Sequence, residues 1–263
     1  MRIERMLAGI ALVLIGGCRS APIDPAGAGD LRQTTVSVSP ADLYPRGDQR
    51  FIALDPGTRE AFRVEITING PEDGAGVWEQ TTGLEALDGS KINGKSEERA
   101  GLTTLRRRAD GSVALLSLVA RTPSATDTAD ALYLFEPKLV TAPAVLRAGE
   151  PFEDTCDLRI VDLNNHSRVI KTGSATRRLE LIGVQTLETE RGKIETLRVR
   201  TEMALQMGAI RSVTTGEVWI ERGVGAIAES SERVSRLMGV PVSRARTLSR
   251  LEGSLEPAQE SSR

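Results

Sequence analysis

The sequence predicts an antiparallel all-β sheet or barrel, on three observations. Residues 62–68, Phe62-Arg63-Val64-Glu65-Ile66-Thr67-Ile68, alternate apolar and polar with period two and run into Asn69-Gly70-Pro71. That is the pattern of a half-buried strand ending in a turn. Residues 113–120 form a continuous apolar run after Asp110-Gly111, which fits a strand buried on both faces or lining a cavity. Further short runs recur at fairly regular spacing with turn residues between them, and helical periodicity is scarce.

The remaining elements follow in order. Residues 131–135 are short and apolar. Residues 177–182 form a strand candidate that ends at Gly183, and residues 184–190 form another that meets the turn signal Arg191-Gly192. Over 193–203, Leu197 and Val199 fall on one face against Arg198 and Arg200 on the other. Residues 210–220, 225–230 and 244–251 complete the strands. The best helix candidate is 229–238, ended by Gly239 and Pro241.

The N-terminus reads as an export signal. Arg2 and Arg5 supply positive charge, residues 6–15 are apolar, and Gly16 and Gly17 lead to Cys18. The apolar run is too short to cross a bilayer, which takes about 20 residues. Ile15-Gly16-Gly17-Cys18 resembles the lipobox of bacterial lipoproteins. The resemblance implies cleavage before Cys18, a diacylated thiol and usually an acylated amino group. Several chains on one residue hold a protein to a membrane where one alone is marginal. The expected organisation is a signal peptide over 1–17, a flexible tether over 18–33 rich in Ala, Pro, Gly and Asp, a single antiparallel β domain over 34–252, and a disordered polar tail over 253–263.

Composition narrows the function classes. Basic and acidic residues are interspersed and the net charge is −2, so no global field favours nucleic acid. Arg106-Arg107-Arg108 reads as a solvated strand end. Lipid on Cys18 leaves Cys156 without a disulfide partner, and it reads as a small half-buried hydrophobe. The single histidine, His166, lies in the polar, loop-like stretch Leu163-Asn164-Asn165-His166-Ser167. One histidine excludes a multi-histidine zinc site, and the sequence has no Gly-x-Ser-x-Gly elbow. No metal, cofactor or catalytic residue is expected, and the protein is not expected to be an enzyme.

Residues 89–96, Gly89-Ser90-Lys91-Ile92-Asn93-Gly94-Lys95-Ser96, match the P-loop pattern letter for letter. The context argues against a nucleotide site. Residues 81–88 do not read as a buried strand, and Glu97-Glu98-Arg99-Ala100-Gly101 opens no apolar helix. A polar loop with Asn93-Gly94 as its turn is the expectation, with no nucleotide bound.

Trp219-Ile220-Glu221-Arg222-Gly223-Val224-Gly225-Ala226-Ile227-Ala228-Glu229 resembles the W-x-x-x-G-V-G-x-[IV]-x-E segment of TapB-type exported bacterial proteins. Two further features are similar. One is the strand start Lys193-Ile194-Glu195-Thr196-Leu197-Arg198-Val199. The other is a proline-bounded loop from Pro137 through Pro143 to Gly149, before Phe152. The resemblance covers about residues 110–232. It implies a LolA-like fold: a curved antiparallel sheet, an incomplete barrel or half-barrel, with one or two short helices. It carries over no catalytic residue. By their own chemistry, Trp219 reads as core, and Gly223 and Gly225 as a turn where positive φ is cheap.

Together these readings predict an exported lipoprotein at the periplasmic face of the outer membrane, serving as a non-catalytic binding or envelope-assembly module. The alternative is a carrier or sensor of an apolar, acyl-chain ligand, with Leu115, Leu116 and Leu118 lining the concave face of the sheet.

Overall fold

A computed structural model of the chain describes residues 28–39, 43–44, 48–54, 61–70, 75–87, 97–123, 128–189 and 191–252. The expected signal peptide, Cys18, residues 89–96 and the tail from 253 lie outside the described residues. The strands are β1 (Ala28–Arg32), β2 (Gln49–Leu54), β3 (Ala61–Asn69), β4 (Gly76–Ala86), β5 (Glu97–Arg107), β6 (Val113–Pro123) and β7 (Thr128–Ala142), then β8 (Phe152–Asp162), β9 (Asn165–Thr189), β10 (Gly192–Met207), β11 (Ile210–Glu221), β12 (Gly225–Leu237) and β13 (Val240–Leu251).

From β2 to β13 each strand pairs antiparallel with the next, and β13 returns to β2 through Leu248↔Leu54 to Leu251↔Phe51. The result is a closed barrel of twelve strands, and Leu43 is the one helical residue among the described residues. The half-barrel with helices that the LolA resemblance implies is therefore not this fold. Closure satisfies edge strands that an open sheet leaves unpaired. β1 adds outside the ring, on the second half of β9, so part of the stretch expected to be tether is paired.

The expected helix at 229–238 is strand β12 and its turn. Each residue from Ala228 to Ser235 has a partner on both β11 and β13, and this pairing overrides local helix propensity. Met238 and Gly239 both take positive φ, 52° and 84°, as a two-residue type I′ hairpin turn requires. Gly239 thus turns a hairpin instead of ending a helix.

The two strand candidates at 177–182 and 184–190 are one strand. β9 runs 25 residues through a bulge at Ile182, where Arg198 pairs with Gly183 and Val199 with Leu181. A Cβ on Gly183 would lie 2.3 Å from the Arg32 carbonyl oxygen, so glycine there lets β1 approach. Residues 137–142, expected in a loop, are the end of β7. Pro137 falls where β7 skips pairing with β6, between Leu134 and Leu139, a position that needs no donated hydrogen bond.

Residues directly opposite in an antiparallel pair share a face, so register defines the inside. One large apolar cluster unites inner residues from β4 to β11, including Trp78, Leu105, Phe135, Leu158, Leu179 and Val199. Burial of each such side chain contributes about 1.5–3 kcal/mol. Val38 and Tyr44, from the segment before β2, and Leu146, from the β7–β8 connection, join the same cluster. Val38 and Leu146 also exchange backbone hydrogen bonds of 3.0 and 3.1 Å. A smaller cluster of Phe51, Ala53, Val64 and Ile66 continues the inside across β2 and β3.

Candidate functional site

The inner face is apolar from β4 into β11, and buried charges interrupt it on β9 and β12. Leu115 and Leu118 are buried in the main cluster. Leu116 is the unpaired residue of a bulge: Thr104 pairs with Ser117 and Leu105 with Leu115. The bulge restores the alternation, so Leu115 and Leu118 face the same side while Leu116 is only half-buried. Of the three leucines expected to line a ligand face, two sit among packed core side chains.

The buried inner charges lie on β9 and β12. One row of cross-strand partners runs Asp154, Arg177, Met203, Thr214, Arg233 and Ala245. Met203 belongs to the main core cluster, which fixes this row as inward. Two rows away, Glu229 lies opposite Val218 and Ser249. Arg177, Glu229 and Arg233 are all buried.

Their electrostatics differ. Burial pushes the Glu229 carboxyl well above the ordinary carboxylate range, and the attraction of Arg177 offsets part of that. Burial lowers the Arg177 guanidinium, while Tyr44 and Glu229 pull it back up. Tyr44 is raised by burial, against the pull of Arg177 and a hydrogen bond to Thr141 Oγ1. Arg233 is lowered to about 10 by burial alone, with no opposing charge. No hydrogen bond or ion pair reaches it among the described residues.

The outer face of the same wall carries a second buried cluster. Arg198 Nε donates to Glu217 Oε2 at 2.8 Å and its Nη1 to Gln185 Oε1 at 3.1 Å. Its guanidinium lies 5.1 Å from the centre of the Trp219 ring. Trp219 Nε1 also donates to Gln185 Oε1, at 2.7 Å, and Gln185 Nε2 donates to the Gly29 carbonyl of β1, at 2.7 Å. Leu187, Ile227 and Ala228 pack around the indole. Trp219 is core, as its sequence predicts, and Gly223 and Gly225 turn at φ 78° and 111°.

Other residues singled out by the sequence are dispersed. Cys156 is a buried free thiol, pushed up to about 12 by burial and then by Asp154 and Asp157. His166 is exposed at the start of β9, a strand where the sequence suggests a loop. β5 ends at Arg107, whose guanidinium sits 5.5 Å from the centre of the Trp78 ring. Residues 81–86, expected not to be a buried strand, belong to β4, with Thr82 buried. β4 and β5 flank residues 89–96 and pair antiparallel, unlike the strand-to-helix unit of a P-loop. Among the described residues no group of three His, Cys, Asp or Glu could hold a metal ion.

A cleft of about 500 Å³ opens by the start of β2, lined by Asp48, Gln49, Arg50, Glu65, Arg191, Leu251 and Glu252. Its charges are largely spent on each other and on neighbours: Arg50 bonds Glu65 at 2.9 Å, and Glu252 bonds Arg63 at 2.8 Å. The inner charges Arg177, Glu229 and Arg233 escaped the sequence reading. On β12 they alternate with equally polar outer residues, Ser230 and Glu232, so no apolar face marks the inside.

No family model matches the chain, and no curated protein does. Three solved structures are similar in fold. A protein described as exported, with YmcC-like fold, from Bacteroides fragilis is 14% identical, over 80% of this chain and 95% of that chain, with a TM-score of 0.39. A protein described as a lipoprotein from Parabacteroides distasonis is 12% identical, over 80% and 96%, with a TM-score of 0.41. The hypothetical lipoprotein YmcC from Escherichia coli is 11% identical, over 80% and 84%, with a TM-score of 0.32. These likenesses are too distant for a function to be carried across.

Proposed function

We propose that this chain is an exported lipoprotein, held to a membrane by lipid on Cys18, and that its barrel is a non-catalytic binding module for an amphiphile. The N-terminal signal and Ile15-Gly16-Gly17-Cys18 support the anchoring. The observation that carries the binding reading is an inner face that is apolar from β4 into β11 and also carries the buried charges Arg177, Glu229 and Arg233 on β9 and β12. A ring of twelve strands encloses more volume than one of eight, whose interior side chains fill it. Around Arg233 the inner positions of β11 to β13 carry small side chains: Ser212, Gly216, Ser231, Ser235, Ser243 and Ala245. A ligand with an apolar body and a polar end matches an apolar inner face that carries these buried charges. The buried, protonated Cys156 and the exposed His166 support a non-catalytic role.

The test is mass spectrometry of the full chain extracted from membranes. The reading expects a diacylated or triacylated Cys18 at the N-terminus and one amphiphile retained per barrel. An unmodified Cys18 would remove the anchoring, and a barrel without co-purifying amphiphile would remove the binding.

A further inference from the structure

Arg233 is a buried inner charge with no hydrogen bond or ion pair among the described residues. A guanidinium presents five donors and accepts nothing. Arg233 is 9% exposed, and an unpaired buried ion is among the most costly features a fold can keep. Its cross-strand partners are Thr214 and Ala245. Ser231 and Ser235 flank it on its own strand, and the diagonal positions hold Ser212 and Gly216 on β11 and Ser243 and Thr247 on β13. Ser212 Oγ and Ser235 Oγ stand 3.2 Å apart. Hydroxyls can donate to an anion or accept from the guanidinium, but they bring no charge.

Among the described residues, the rest of the inside does not neutralise it. Glu229 is shifted toward its neutral form and is shared with Arg177. Asp154, beyond Arg177 in the row, accepts from the Val140 N–H at 2.6 Å. The described inner wall of β9 to β13 therefore has more positive than negative charge. Two further buried polar atoms, Gln80 Oε1 and Ser249 Oγ, have no hydrogen-bond partner among the described residues; Ser249 pairs with Glu229 on this wall.

We infer that Arg233, with the hydroxyls of Thr214, Ser212 and Ser235, is the anchor for an oxyanion inside the barrel, the acidic headgroup of the bound amphiphile. The inference rests on the binding reading above and gives it a headgroup. A planar guanidinium beside hydroxyls suits the geometry of a phosphate or carboxylate. The same chemistry could be presented by an amphiphile or by free phosphate.

The full chain in amphipol, titrated calorimetrically, separates these sources. The probes are dodecyl phosphate, dodecyl maltoside and inorganic phosphate. The expected result is saturable binding of dodecyl phosphate, tighter than dodecyl maltoside. Arg233→Met should weaken dodecyl phosphate at least about tenfold, as loss of one charge-assisted bond implies, and leave dodecyl maltoside unchanged. Arg32→Met, at an exposed arginine, should change neither. If Arg233→Met does not fold, Arg233→Lys and Thr214→Val should each weaken dodecyl phosphate selectively. Equal binding of both amphiphiles, unchanged by these variants, overturns the anchor and leaves the binding barrel standing. No binding of either amphiphile overturns the barrel reading and the anchor with it. Inorganic phosphate binding as tightly as dodecyl phosphate overturns the amphiphile as the source of the anion.

Discussion

Two arginines on opposite faces of one wall of the barrel are almost equally buried, Arg198 at 6% exposure and Arg233 at 9%, yet their surroundings differ completely. Arg198, on the outer face, bonds Glu217 and Gln185 and lies over Trp219. Through Gln185 the same network ties β1 to the barrel. Arg233, on the inner face, meets hydroxyls and small side chains and no carboxylate. Satisfied buried ions specify a fold, whereas unsatisfied ones must be justified by something else. The outer arginine thus explains how this sequence holds its shape, and the inner one points to what the shape is for.

The sharpest way to break the outer cluster is Trp219→Ala. It opens a cavity and leaves Gln185 and Arg198 short of partners, and should cost about 3–5 kcal/mol in urea unfolding. A loss below about 1 kcal/mol would mean that the cluster is ornamental.

Glu229→Gln probes the inner face through pH. The Glu229 carboxyl is raised above its ordinary 4.5 in the fold. Its contribution to stability is therefore fully present below that ordinary value and is lost as pH rises through the folded value. Wild type should lose melting temperature relative to Glu229→Gln as pH rises from about 4 toward neutrality. Parallel curves for the two proteins would show that Glu229 ionises as freely folded as unfolded.

The smallest effect belongs to an outer ion pair that is not buried. Arg32 and Glu195 bond at 2.6 Å with side chains 60% and 67% exposed. Arg32→Ala should shift stability by less than about 1 kcal/mol. A larger loss would show that β1 depends on this pair and not on Gln185.

Much of the wall was legible in the sequence. The alternation over 62–68 and the turns at Gly111, Gly192 and Gly223 locate strands that the structure contains. Trp219 stood out as an anchor in a chain with 3% aromatics. Closure was not legible, because β13 and β2 meet across nearly the whole domain and through only four residue pairs. β12 misread as a helix because Glu229, Glu232, Arg233 and Arg236 suit one, and only partners on both sides make it a strand. The inner charges stayed hidden for the same reason. Periodicity separates apolar from polar, and β12 is polar on both faces, so register alone tells Arg233 from Glu232.

Paired urea unfolding of Arg198→Met and Arg233→Met tests the contrast most directly. Arg198→Met leaves the buried Glu217 with only Arg200, at 3.2 Å, and should lose about 3 kcal/mol. Arg233→Met removes an unpaired buried charge, and its midpoint should hold or rise. Similar losses in the two variants would contradict the account, because Arg233 would then be as much a part of the fold as Arg198.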